Sequence, residues 1–199
     1  SPHRQESAPT PAGNPLLDVA YIAVFAALII ALAFVAIPVG AAGVPIVLQN
    51  AAVILAGLIL GRTRGFLTAL LFLGLGLIGL PVLAGGKTTL AALGGPTIGY
   101  LVGYLVSATV AGSIAYLAPR GNRKALTIYL ALGAIAALAC QYLCGSVGMM
   151  FRADMSFGQA LAVNVPFLIP DLVKAACVVA IASGVHLSLP DIRRKAFLK

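Results

Sequence analysis

Residues 96–118 read PTIGYLVGYLVSATVAGSIAYLA, an uncharged run from Pro96 to Ala118 that stops at Pro119. A helix rises about 1.5 Å per residue and needs about 20 residues to cross the roughly 30 Å hydrocarbon core of a bilayer. This run meets that length without a single ionisable group. Small residues recur at every fourth position: Gly95, Gly99, Gly103, Ser107, Ala111 and Ala115. Helices in lipid associate by close packing, which such a stripe permits because one whole face is little more than backbone. The stripe is read as a packing surface inside a helix bundle.

Working outward, the rest of the chain repeats the pattern. Of its 199 residues 61% are hydrophobic and 9% charged, whereas an average soluble domain carries about 25% charged residues. That shortage excludes a water-soluble globule, whose surface needs more charge than this chain possesses. Five further apolar runs join the first: Val19–Ile37 before Pro38, Val44–Leu60 before Gly61, Gly65–Leu80 before Pro81, Ala125–Met150, and one within 160–187 interrupted by Pro166 and Pro170. The expectation is an all-α membrane protein of six transmembrane helices, occupying residues 18–190 between a flexible tail, 1–17, and a basic tail, 191–199.

The net charge of +8 would suggest nucleic acid in a soluble protein, but its distribution points elsewhere. With six crossings, both termini share one side. That side holds Arg4, Arg62, Arg64, Arg120, Arg123, Lys124, Arg193, Arg194, Lys195 and Lys199, against Lys87 and Arg152 opposite. The positive-inside rule makes the first side cytoplasmic. The inside connections are then tight turns, while the Pro81–Gly95 connection and the one following Phe151 are long, polar and on the outside. A site on the outer face is expected, since loops on a rigid scaffold commonly carry function.

Most chemistry can be set aside. Gly85-Gly86-Lys87-Thr88 suggests a phosphate-binding loop, but the glycine required five positions before Gly86 is Pro81. ATP, if used, must be handled by another subunit. His3 and His186 lie too far apart to build a hydrolytic or metal set, and Cys140, Cys144 and Cys177 match no metal spacing, so they are read as small packing residues. No cofactor and no metal are expected. Arg152 and Asp154 are read as a solvated loop pair.

There remains Ile169-Pro170-Asp171-Leu172-Val173-Lys174. Ionisable groups inside membrane helices are costly and point to function. Pro170 suits the first position of a helix, placing Asp171 in the first turn, with Lys174 three residues on and on the same face. The pair is either a structural pin or a ligand site, and a small membrane enzyme using it as acid and base is disfavoured by the lack of a nucleophile or second carboxylate. Gln49 and Asn50 are either a helix-to-helix hydrogen bond or further ligand contacts. Ala23, Ala27 and Ala31 form a small-residue face on the first helix, open to either internal packing or a partner.

Five stretches, Val44-Pro45-Ile46-Val47-Leu48-Gln49, Gly76–Val82, Ala84-Gly85-Gly86, Gly95–Tyr100 and Ile169–Lys174, resemble the BioY family in order and separation. BioY proteins are biotin-binding S-components of energy-coupling factor (ECF) transporters. The resemblance covers about Asp18 to Pro190. It implies six helices with both termini inside, a biotin pocket near the outer face of a prokaryotic cell membrane, and operation with a transmembrane T-component and two ATPase subunits. Whether the chain works alone, as a homo-oligomer, or only with ECF subunits is left open by the sequence. The resemblance further implies Lys174 as a carboxylate partner, Asp171 as partner of the ureido N–H groups, and pocket roles for Gln49, Gly85, Gly86, Lys87, Thr97 and Tyr100. It shifts Ala23 and Ala27 towards a T-component contact. Ile98, where the family usually has glycine, and Lys87-Thr88-Thr89 depart from its pattern.

Overall fold

Asn14 starts the first helix: its side chain accepts a hydrogen bond from the Leu16 amide at 3.0 Å, and Pro15 fills the first turn, where a missing N–H costs nothing. The computed structural model describes residues 14–37 and 46–193, so most of the expected N-terminal tail, residues 38–45 and residues 194–199 lie outside the described residues. Along the described chain, helices dominate: α1 (Pro15–Leu32), α2 (Gln49–Leu60), α3 (Arg62–Leu77), α4 (Thr89–Ala92), α5 (Ile98–Ala115), α6 (Arg123–Arg152), α7 (Phe157–Val163) and α8 (Val165–Ser188), closed by a 3-10 turn, η1 (Pro190–Ile192). Two-residue strands, β1 (Ala36–Ile37) and β2 (Ile46–Val47), pair antiparallel between α1 and α2.

Four helices, α1, α5, α6 and α8, are long and apolar enough to cross a membrane. The expected second span is shorter than its apolar run. Ile46 and Val47 belong to β2, and the helix begins only at Gln49, leaving 12 residues. It need not match a bilayer by itself, because every residue of α2 except Asn50 is buried among its neighbours. α2 is the central post of the bundle, with α5, α3 and α8 packed around it.

The stripe on α5 performs the packing expected of it. A side chain at Gly99 would run into the Cys144 carbonyl oxygen, and one at Gly103 would come within 3.0 Å of the Gln141 Cα, so the backbones of α5 and α6 touch. Ser107, Ala111 and Ala115 continue this buried line. Gly95 falls before the helix and does not take part. On another side of α5, the Ala108 carbonyl fills the space where Gly57 of α2 would carry a side chain, and a Cβ at Gly65 of α3 would lie 2.8 Å from the Gly57 Cα.

The turn between α2 and α3 is tighter than the sequence suggests. It consists of Gly61 alone, at φ +90°, and α3 begins at Arg62. Arg64 is consequently no loop charge: it is 1% exposed and embedded in the bundle. Its guanidinium donates to the Leu60 carbonyl at 2.7 Å, the Tyr116 hydroxyl at 2.8 Å and the Ile192 carbonyl at 2.9 Å, with Asp18 of α1 at 3.5 Å. Arg193 donates to the Tyr116 carbonyl at 2.6 Å. Residues 191–193, expected as the start of the basic tail, are thus tied into this end of the bundle. Of the cysteines, Cys140 and Cys144 are half-buried as packing residues, whereas Cys177 is exposed on α8.

The backbone contacts make a sharp prediction. Gly57→Val forces α2 and α5 apart and is expected to cost at least about 3 kcal/mol or abolish folding. Gly74→Ala, where an added Cβ meets nothing within 4 Å, is expected to stay within about 0.5 kcal/mol of the parent. Thermal unfolding in detergent compares the two.

Candidate ligand-binding site

α8 starts at Val165 with Pro166 in its first turn, and Pro170 lies inside it. Asp171 is therefore in the second turn and not, as Pro170 suggests from sequence, in the first. Its carboxylate is met by side chains. Asp171 Oδ1 is 2.7 Å from Lys174 Nζ, and accepts from Asn50 Nδ2 at 3.1 Å. The Tyr142 hydroxyl on α6 donates to Asp171 Oδ2. Lys174 also donates to Asn50 Oδ1 at 2.8 Å and to the Val47 carbonyl at 2.7 Å. An ammonium has three hydrogens, and all three have oxygen partners here.

The cluster draws on α2, α6, α8 and the end of β2. Its position is set from below by Gln141, whose amide donates to the Asn50 carbonyl at 3.3 Å and to Ser107 Oγ on α5 at 3.1 Å. The side chains of Asp171 and Lys174 are 7% and 14% exposed. A nearly dry ion pair survives only when its remaining donors and acceptors are met, and these neighbours meet them.

The other expected site residues are distributed around this focus. Gln49 is fully engaged within the chain: its Nε2 donates to the Ile29 carbonyl at 3.0 Å and the Val82 carbonyl at 2.7 Å, and its Oε1 accepts from the Ala84 amide at 3.1 Å. It fastens the 78–88 connection to the start of α2. Gly85 and Gly86, at φ +81° and +75°, make the turn closed by the Leu83 amide on the Lys87 carbonyl at 3.0 Å. Only glycine takes two successive positive φ values without cost. Lys87 is exposed on that turn, and Thr97 is exposed before α5.

Tyr100 joins a separate latch. Its hydroxyl bonds Asn164 Oδ1 at the α7–α8 joint, while Asn164 Nδ2 donates to Ser146 Oγ on α6 at 3.0 Å. The Tyr100 ring fills the space over Gly145, where any side chain would collide with it. Ala23 and Ala27 are exposed on α1, which instead buries Ile22, Ala26 and Ile29 against the bundle.

Tyr142, Gln141, Ser146 and Asn164 are absent from the residues singled out by sequence. A signal existed for Gln141, the lone amide in the apolar run 125–150, because a buried amide at membrane depth must have partners. Tyr142, half-buried beside it, gives none, since a tyrosine in an apolar helix is usually packing or interfacial. Arg152 and Asp154 are both exposed, and no ion pair joins them among the described residues. Among the described residues, no three His, Cys, Asp or Glu side chains gather as metal ligands.

A helical bundle whose ionic focus is held by amide, phenol and carbonyl groups defines a membrane-embedded binding protein. The BioY family profile matches residues 5–191, and the chain belongs to the BioY family. It is 42% identical over 168 residues to the biotin transporter BioY of Rhodobacter capsulatus, covering 79% of this chain and 86% of that protein. It is 33% identical over 187 residues to the biotin transporter BioY of Rhizobium etli, covering 90% and 98%. The crystal structure of the S-component for biotin from an ECF-type ABC transporter superposes with a TM-score of 0.73 at 31% identity, covering 86% of this chain and 91% of that one. With four helices of spanning length, the chain is a multi-pass membrane protein.

The role of Gln49 is directly testable. Gln49→Leu strips partners from two carbonyls and one amide, an expected loss of about 2–4 kcal/mol. Hydrogen exchange should localise the effect to the Ala84 amide and the glycine turn, leaving α5 and α6 protected.

Proposed function

We propose that this chain is the biotin-binding S-component of an ECF transporter. It is a capture subunit without catalysis that takes biotin at the outer face and delivers it inward. What supports this most is family membership across residues 5–191 together with the Asp171–Lys174 focus, a donor and an acceptor held side by side in an apolar bundle. Biotin combines an apolar bicycle, a ureido group and a carboxylate on a saturated acid chain. A largely apolar site with a few convergent polar groups is what such a molecule requires.

The geometry refines the roles. Read from the family, Lys174 takes the carboxylate and Asp171 the ureido N–H groups. The two side chains are 2.7 Å apart, whereas the two ends of biotin are separated by the length of its acid chain. We assign both to one end. The ureido carbonyl accepts from Lys174, and an adjacent ureido N–H donates to Asp171, so that a single rigid group satisfies both charges. Gly85 and Gly86 cover the site as a turn fastened by Gln49; Thr97 and Tyr100 border it at the start of α5, and Lys87 stands at its rim.

Topology and partners follow the same reading. Helices α1, α2, α3, α5, α6 and α8 are six crossings of a prokaryotic cell membrane, with both termini cytoplasmic and the binding domain spanning 18–190. The end carrying Arg64, Arg193 and Arg123 is cytoplasmic, in keeping with the positive-inside rule. Ala23 and Ala27, exposed on α1, supply a small-residue face for a T-component coupled to two ATPase subunits. Co-purification of an ATPase with the tagged protein is the check on partners.

Equilibrium binding of labelled biotin to the purified protein tests the site. Lys174→Ala and Asp171→Asn are each expected to weaken binding at least about tenfold, the value of a charge-assisted hydrogen bond. Parental affinity in both would refute the assignment.

A further inference from the structure

Asn50 touches both members of the ion pair, matching one hydrogen of the ammonium and one lone pair of the carboxylate. Its Oδ1 accepts from Lys174 at 2.8 Å and its Nδ2 donates to Asp171 at 3.1 Å. A carbonyl faces the ammonium, and an N–H faces the carboxylate. A ureido group offers the same two functions in the same adjacency. From this juxtaposition we infer that the Asn50 side-chain amide is a built-in competitor for the ligand's ureido group, and that binding proceeds by exchange of one for the other. The inference rests on the biotin reading above.

The exchange follows from counting hydrogens. Lys174 has three donors, and these are filled by Asp171, Asn50 and the Val47 carbonyl. A ligand oxygen can reach the ammonium only if one of them leaves. Asp171 is held on the same helix by its opposite charge, and its second oxygen is tied to Tyr142 on α6. Val47 is backbone, in a strand paired with β1. Asn50 is a side chain that can leave by rotation about two single bonds. Its own backbone stays in place, since the Asn50 carbonyl accepts from Gln141 at 3.3 Å. One rotation frees a donor on Lys174 and an acceptor on Asp171 together.

Two consequences distinguish a competitor from a ligand contact. A competitor, once removed, leaves the pair better disposed to bind. A residue that touches or orients the ligand, once removed, leaves it worse. The exchange also matters most for a ligand whose ring group carries a carbonyl, because one without it regains only the acceptor on Asp171 and nothing from Lys174.

The test is equilibrium binding of biotin and of 2-iminobiotin, which carries an N–H in place of the ureido carbonyl oxygen, to the parent, Asn50→Ala and Asn50→Asp proteins in detergent. Asn50→Ala is expected to bind biotin about threefold to tenfold more tightly, the worth of one or two neutral hydrogen bonds no longer in competition. Its affinity for 2-iminobiotin should rise by less than its affinity for biotin, because only the Asp171 acceptor is regained. Asn50→Asp holds Lys174 by charge and should weaken biotin at least about tenfold. This second variant keeps the exchange open to refutation if Asn50→Ala fails to fold. Weaker biotin binding by folded Asn50→Ala, or undiminished binding by Asn50→Asp, overturns the exchange. Failure of the parent to bind biotin at all overturns the underlying reading instead.

Discussion

Everything at the binding end of this molecule answers to one constraint: a carboxylate and an ammonium 2.7 Å apart, almost out of reach of water, must have every remaining lone pair and hydrogen matched. An isolated pair in such a setting would cost more than its attraction returns. The chain meets the demand by bringing Asn50 from α2, Tyr142 from α6 and the Val47 carbonyl from β2 to one point. That convergence requires the helix backbones to approach closely. Glycines at 57, 99 and 103 allow it, and Gln141 and Ser107 brace the floor between α2, α5 and α6.

The opposite end solves a similar problem with a different purpose. Arg64 is surrounded by Asp18, Tyr116 and carbonyls of Leu60 and Ile192, joining α1, α2, α3, α5 and the chain's last described residues. His186 adds a link from α8 to the Leu58 carbonyl at 2.8 Å. The bundle is therefore clamped by polar groups at both ends and packed by small residues between them. Such an arrangement lets a binding site be precise without relying on loops alone.

Much of this was legible in the sequence because the bilayer imposes a simple rule on composition. Long uncharged runs must be helices, and any charge inside one must have a reason. That logic reached the helical class, the stripe on α5 and the pairing of Asp171 with Lys174 on one face of α8. It misplaced local details set by tertiary contact. Arg64 reads as a loop charge because it lies between Gly61 and Gly65, where one apolar run ends and the next begins, and only the partners that surround it explain its burial. Asp171 reads as a first-turn residue because Pro170 suits that position, yet α8 starts earlier at Val165 and carries the proline within it. For Gln49, the sequence left a helix-to-helix bond and a ligand contact open, and gave no sign of the three internal hydrogen bonds that hold the glycine turn. Tyr142 could not be found from sequence, since nothing local marks which tyrosine meets a carboxylate on a distant helix.

The central claim is that Asp171 and Lys174 act as one unit on one group of the ligand. A double-mutant cycle on biotin affinity, using Asp171→Asn, Lys174→Met and the two combined, measures this directly. The account predicts strong non-additivity: the combined variant binds about as weakly as the worse single one, with a coupling above about 1 kcal/mol. Additive losses would mean that the two side chains meet separate parts of the ligand, and would contradict it.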